Sequence, residues 1–143
     1  YVGRTFITPD QQSRERAVRI KLSALGSEVR GKRVVMIDDS IVRGTTCSAI
    51  INLLREAGAT EVHMRVSAPP FIAPCYFGTD IPDKDRLIAC HYSIDEITKM
   101  TGADSLGYLS LESLHKIAPD AHCGFCDGCF TERYPIPVEK ARD

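Results

Sequence analysis

The chain has 143 residues, of which 43% are hydrophobic and 26% charged, with a formal net charge of -1 at pH 7. That length and mix suit one soluble globular domain with a real core and exclude a disordered chain. No run approaches the roughly 20 apolar residues that cross a bilayer, and no basic-then-apolar leader opens the sequence, so a cytoplasmic protein with no membrane partner is expected.

Tyr1-Val2-Gly3-Arg4 begins in mid-pattern without an initiator Met, which predicts a piece of a longer polypeptide. The small net charge hides an asymmetry. Arg4, Arg14, Arg16, Arg19, Lys21, Arg30, Lys32 and Arg33 face only Asp10, Glu15 and Glu28 before residue 34. Such a stretch reads as a solvated helix face or as part of a site for a polyanion. With few aromatics and no reader motif in it, nucleic acid is not an expected partner.

Val18, Leu22 and Leu25 stand at helical spacing and predict a helix over 13–25, with Gly26 as its stop. Val34-Val35-Met36-Ile37 is a continuous apolar run that breaks into Asp38-Asp39-Ser40, the pattern of a buried parallel strand ending at a functional loop. Ile50, Leu53, Leu54 and Ala57 then form an amphipathic stripe closed by Gly58, which predicts a helix. Val62, Met64 and Val66 alternate with Glu61, His63 and Arg65 as in a second strand. Strand, helix and strand make a βαβ unit, so the expected class is α/β with a parallel sheet flanked by helices and a right-handed crossover.

Pro69-Pro70 and Pro74 predict a loop, and Ser93 with Glu96 offers a capping box for a helix running to Met100. Residues 105–110 suit a further strand and 111–117 a short helix. From Pro119 the pattern dissolves into Gly, Cys and Pro, a tail that needs something besides a hydrophobic core to hold it. No internal repeat or low-complexity tract is present.

The segment from Val34 to Thr46 carries the chemistry. A strand there delivers two adjacent carboxylates to its C-terminal edge, and a small-residue turn feeds a helix, which is where α/β sheets bind ligands. Free N–H groups of Arg43 to Thr46, with Gly44 allowing close backbone approach, would cradle a phosphate. Asp38 and Asp39 lie too near those amides to be phosphate ligands; they suit sugar hydroxyls or an oxygen-held Mg²⁺. Together these groups describe a ribose 5-phosphate site. A bare Asp-Asp-Ser would more simply cap the next helix.

The thirteen residues 34–46 resemble the phosphoribosylpyrophosphate loop of type I phosphoribosyltransferases. Asp38-Asp39-Ser40-Ile41-Val42-Arg43-Gly44-Thr45-Thr46 is similar to the form found in the amidophosphoribosyltransferase family. The likeness extends to Tyr1-Val2-Gly3-Arg4-Thr5-Phe6-Ile7, Ala68-Pro69-Pro70, Pro74-Cys75-Tyr76-Phe77-Gly78, Ile97, Gly102-Ala103-Asp104 and Tyr134-Pro135. It implies a type I phosphoribosyltransferase fold, partial in this chain. Residues 1–117 would be the C-terminal part of the transferase domain and 118–143 a Cys-rich tail packing on it, with an N-terminal glutaminase domain outside the chain.

Carried over by position, the resemblance assigns Asp38 and Asp39 to Mg²⁺ and the ribose hydroxyls. Ser40, Val42, Arg43, Gly44, Thr45 and Thr46 join the substrate-binding set, the last five at the 5-phosphate, and Lys21 lies near the nucleotide or phosphate site. Tyr1 and Arg4 match a catalytic loop that closes over the pyrophosphate. The implied reaction displaces pyrophosphate from C1 of phosphoribosylpyrophosphate by ammonia from glutamine, giving 5-phosphoribosylamine, the first committed step of de novo purine synthesis. A transition state with oxocarbenium character needs no protein nucleophile; charge neutralisation by Mg²⁺ and Arg4, orientation and exclusion of water suffice. Without the glutaminase part, the chain alone is expected to be inactive with glutamine. Purine nucleotides are implied as feedback inhibitors and a homo-oligomer as the full-length state. A second reading keeps the same loop in a phosphoribosylpyrophosphate-sensing purine regulator.

Six cysteines are present, and clustered thiols in a cytosolic chain read as metal ligands before disulfides. Cys123, Cys126 and Cys129 form two overlapping C-x-x-C units, whose spacing suits zinc or iron–sulfur alike and leaves a zinc-ribbon interaction module as a third reading. One branch of the resembled family carries a structural 4Fe-4S cluster, whose ligands match Cys75, Cys126 and Cys129, with a fourth upstream of Tyr1. Cys123 is then a spare thiol or a substitute ligand. Cys47 and Cys90 read as small buried residues. His63, His91, His115 and His122 receive no catalytic role, and His122 alone is a candidate metal ligand.

Overall fold

The computed structural model describes residues 26–79, 81 and 83–138. The helix expected over 13–25, together with Tyr1, Arg4 and Lys21, lies outside the described residues.

One helical turn, Gly26–Val29 (α1), leads into strand β1, Arg33–Asp38. Helix α2, Thr45–Glu56, follows the motif loop and buries Cys47, Ile51 and Leu54, an i, i+4, i+7 face. The expected stripe is displaced by part of a turn: Ile50 and Leu53 are half-buried, and Cys47 and Ile51 go deepest. Gly58, with φ 98°, lets the chain reverse after α2, as its place in the sequence predicts.

Strand β2, Glu61–Val66, sends Val62, Met64 and Val66 into the core. A loop with a 3-10 turn at Lys84–Arg86 reaches the single turn α3, Ile88–His91, and then α4, Ile94–Thr101. The capping box is formed: the Ser93 hydroxyl accepts the Glu96 N–H at 3.3 Å, and the Glu96 carboxylate accepts the Ser93 N–H at 2.8 Å. Strand β3, Ser105–Tyr108, is followed by α5, Leu111–His115, and α6, Gly128–Thr131.

The three strands form a parallel sheet in the order β1-β2-β3, the α/β arrangement expected from the βαβ pattern. Register places Asp38, Val66 and Tyr108 in one row across its carboxyl edge. Helices α2 and α4 cover one face, where Ile41, Ile51, Val62, Met64, Val66 and Ile97 make the main core. One expectation fails here. β1 is not a buried strand: Val35 is 60% and Ile37 73% exposed. Among the described residues it lies at the edge of the sheet, and only the face carrying Val34 and Met36 is covered.

Residues 128–134 dock on the loop after β2 through a second apolar cluster of Phe71, Ile81 and Leu87 with Cys75, Cys129 and Phe130. The Phe71 and Phe130 rings stack at 4.9 Å, the Cys129 carbonyl accepts the amides of Ile72 and Ala73, and the Tyr134 hydroxyl donates to the Pro74 carbonyl at 2.8 Å. Gly128 is required by this packing, because a Cβ there would lie 2.3 Å from the Tyr134 ring. Aromatic contacts therefore support a stretch whose sequence shows no core pattern. Cys90 is a second correction: it is exposed, since the turn α3 turns Ile88 inward and Cys90 outward.

Candidate functional site

Strand alternation decides how the two acids face. Asp38 ends β1 on the same side as Val34 and Met36, toward the helices, and is half-buried; Asp39, one residue on, is exposed. One Asp38 oxygen accepts the Asp39 N–H at 3.0 Å, and the other lies 3.8 Å from the Cys47 thiol. Burial pushes the Asp38 carboxyl above its ordinary range, the Asp39 amide pulls it down, and the Asp39 charge pushes it up again, with a net rise. The Asp39 carboxylate accepts only a neighbouring Ser40 hydroxyl, at 2.8 Å, among the described residues.

The loop that follows is pinned from beneath. Ile41 is buried in the main core, Val42 packs against the second cluster, and the Val42 carbonyl accepts the Ile88 N–H at 2.9 Å. Gly44 has φ 80° and precedes α2 without any side-chain cap. Its missing Cβ would stand 2.9 Å from the Ile88 side chain, so glycine answers both a backbone and a packing demand.

The side chains of Arg43, Thr45 and Thr46 are exposed. Among the described residues no acceptor takes the amide hydrogens of Arg43, Gly44, Thr45 or Thr46. These unpartnered donors stand at the positive end of a twelve-residue helix, the ordinary chemistry of an anion site. An anion there has two carboxylates beside it, so the ligand that fits is a phosphate carrying hydroxyls or a magnesium ion.

Sequence reasoning passes over the support for this site. Cys47 reads as mere filler, yet its thiol, pushed up to about 12 chiefly by burial and then by the Asp38 charge, stays protonated as a donor toward Asp38. Ile88 and Tyr108 carry no signal at all. Tyr108 packs against the core with its hydroxyl buried and unpartnered among the described residues, and burial lifts it to about 12.

The thiols are divided in their surroundings. Cys75 and Cys129 share the second cluster, whereas Cys123 and Cys126 are exposed, and none of the six forms a disulfide. At Cys75 burial raises the thiol, but the Phe77 and Thr79 amides, the Thr79 hydroxyl and the Gly78 amide outweigh it and leave it lowered. Cys129 is raised to about 11 by burial first and then by Cys75, with Cys126 adding a smaller push. Among the described residues no three His, Cys, Asp or Glu side chains group closely enough to hold one metal ion. His63, His91 and His115 have other partners, in Ser105 with Glu61, the Asp85 carbonyl and Asp127 respectively.

No family model matches the chain. Individual relatives do. The amidophosphoribosyltransferase of Bacillus subtilis (strain 168) is 53% identical over 142 residues, 96% of this chain and 30% of its own length. That of Archaeoglobus fulgidus is 51% identical over 140 residues, 96% of this chain and 31% of its own length. This chain is homologous to part of an amidophosphoribosyltransferase.

The chloroplastic amidophosphoribosyltransferase 2 of Arabidopsis thaliana agrees at 54% identity over 97% of the chain and 25% of its own length. The chain thus spans under a third of the amidophosphoribosyltransferases it matches. The solved glutamine phosphoribosylpyrophosphate amidotransferase from B. subtilis, complexed with ADP and GMP, superposes with a TM-score of 0.71 at 48% identity, covering 98% of this chain and 32% of that one. A structure described as the allosteric regulatory enzyme of purine biosynthesis gives the same TM-score and identity. The parallel sheet and its helices are accordingly part of a type I phosphoribosyltransferase fold.

Proposed function

We propose that this chain supplies the phosphoribosylpyrophosphate-binding part of a cytoplasmic amidophosphoribosyltransferase, which transfers phosphoribose to ammonia derived from glutamine in purine synthesis. One observation carries the reading: the unpartnered amides from Arg43 to Thr46 open beside Asp38 and Asp39 at the sheet's carboxyl edge. The amides, with the Thr45 and Thr46 hydroxyls, hold the 5-phosphate. Asp39, exposed, and Asp38, half-buried, hold the ribose hydroxyls and Mg²⁺; two carboxylates plus substrate oxygens suit that ion. When bound, magnesium offsets the charge that develops on the leaving pyrophosphate. The loop's buried underside keeps the sugar fixed while C1 opens to ammonia, a contribution of orientation. Tyr1, Arg4 and Lys21, which the resemblance adds to the site, lie outside the described residues.

The cysteine region has a separate role in this reading. Cys75, Cys126 and Cys129 would hold a 4Fe-4S cluster that serves structure. Support comes from the amide and hydroxyl donors around Cys75, which favour a thiolate, and from its proximity to Cys129. Purine nucleotides act as feedback inhibitors, and the full-length protein is a homo-oligomer; the nucleotide-bound B. subtilis relative supports the first point.

Calorimetry on the intact gene product tests the site. Phosphoribosylpyrophosphate should bind in a Mg²⁺-dependent manner, and Asp38→Asn with Asp39→Asn should abolish that binding; undiminished affinity in the double variant would overturn the assignment.

A further inference from the structure

Asp38 and Asp39 are neighbours with unlike support. Asp39 is exposed and touches only the hydroxyl of Ser40 among the described residues, so its carboxylate turns freely. Asp38 meets a donor at both oxygens, the Asp39 amide at 3.0 Å and, in a longer contact, the Cys47 thiol at 3.8 Å. Cys47 itself cannot shift: it is 2% exposed, in the first turn of α2, and packed in the main core. Tyr108 packs against the same cluster and, across Val66, shares the register row of Asp38.

A carboxylate offers about four lone-pair sites. Two donors on Asp38 leave two sites for a ligand and fix where they point. We propose that Cys47 is a positioning residue: its S–H holds the Asp38 carboxylate in the one rotation that presents those remaining sites to a ribose hydroxyl. This rests on the ribose-phosphate reading above. Because Cys47 directly follows Thr46, the last of the open amides, the same helix start sets both the phosphate cradle and the sugar grip.

The two halves of the site can be probed separately in the intact gene product, with inorganic phosphate for the amides and ribose 5-phosphate for amides and carboxylates together. Cys47→Ala removes the donor, and Cys47→Val removes it while keeping bulk. Both donor-less variants should bind inorganic phosphate as the parent does and ribose 5-phosphate about tenfold more weakly, the scale of one hydrogen bond to a charged group. Equal losses on both probes would mean that Cys47 only packs the loop, and undiminished ribose 5-phosphate binding in Cys47→Ala and Cys47→Val would likewise overturn the proposal. Asp39→Asn run in parallel separates the two readings. A parent that binds no ribose 5-phosphate sinks the site itself and this proposal with it. Binding that needs Asp39 but not Cys47 sinks this proposal alone.

Discussion

The Ile88 side chain stands 2.9 Å from where a Cβ on Gly44 would lie, while the Ile88 amide donates to the Val42 carbonyl two residues before that glycine. Ile88 therefore shapes the anion loop without facing the ligand. Gly44→Ala adds a clash to a left-handed backbone and should lower stability by about 1–3 kcal/mol. Phosphoribosylpyrophosphate affinity should fall with it. Adding Ile88→Ala should relieve the clash but not the backbone strain, so thermal denaturation of the pair should show a non-additive partial rescue of the loop.

Asp104 joins three elements through one oxygen, which accepts the Val62 amide at 2.6 Å and Arg55 at 2.7 Å; Arg55 also reaches the Gly102 carbonyl. The Val62 amide first, and Arg55 after it, hold the Asp104 carboxyl below its ordinary range. A lowered folded pKa means that this stabilisation is full above the unfolded carboxylate range and is lost as pH falls through the folded value. Acid titration of Asp104→Asn, followed by circular dichroism, should show lower stability at neutral pH and a shallower loss on acidification than the parent.

Tyr108 has a buried hydroxyl with no partner among the described residues. A buried unpaired donor costs about 1–3 kcal/mol, so its removal in Tyr108→Phe should leave stability unchanged or raise it by about 1 kcal/mol. A fall of that size in chemical denaturation would show that the hydroxyl has a partner in solution.

Two further positions calibrate the fold. Ser93→Ala removes a capping-box acceptor from α4 and should cost about 1 kcal/mol. Ile51→Ala empties a fully buried site between α2 and the sheet and should cost about 2–5 kcal/mol. Urea titrations would rank the two; a milder effect at Ile51 than at Ser93 would mean that the main core is misassigned.

Local chemistry was readable from residue order. The alternation of Val62, Met64 and Val66 sets one face of β2, the Ser93 and Glu96 pair marks the start of α4, and Gly58 marks the end of α2. The loop from Asp38 to Thr46 was equally legible, because its meaning lies in contiguous groups: two acids, a glycine and free amides. Other features needed distant partners. An uncovered sheet face left Val35 and Ile37 exposed in a run that reads as buried, and the orientation of one short turn put Cys90 at the surface. Strand parity and α2 together gave Asp38 and Asp39 different environments, with the Cys47 thiol against only one of them. Backbone preference, capping and turn chemistry act over a few residues and so are written into the order of the chain. Burial, register and the neighbours of a charge come from segments far apart in sequence, and exist only once the sheet and helices have packed.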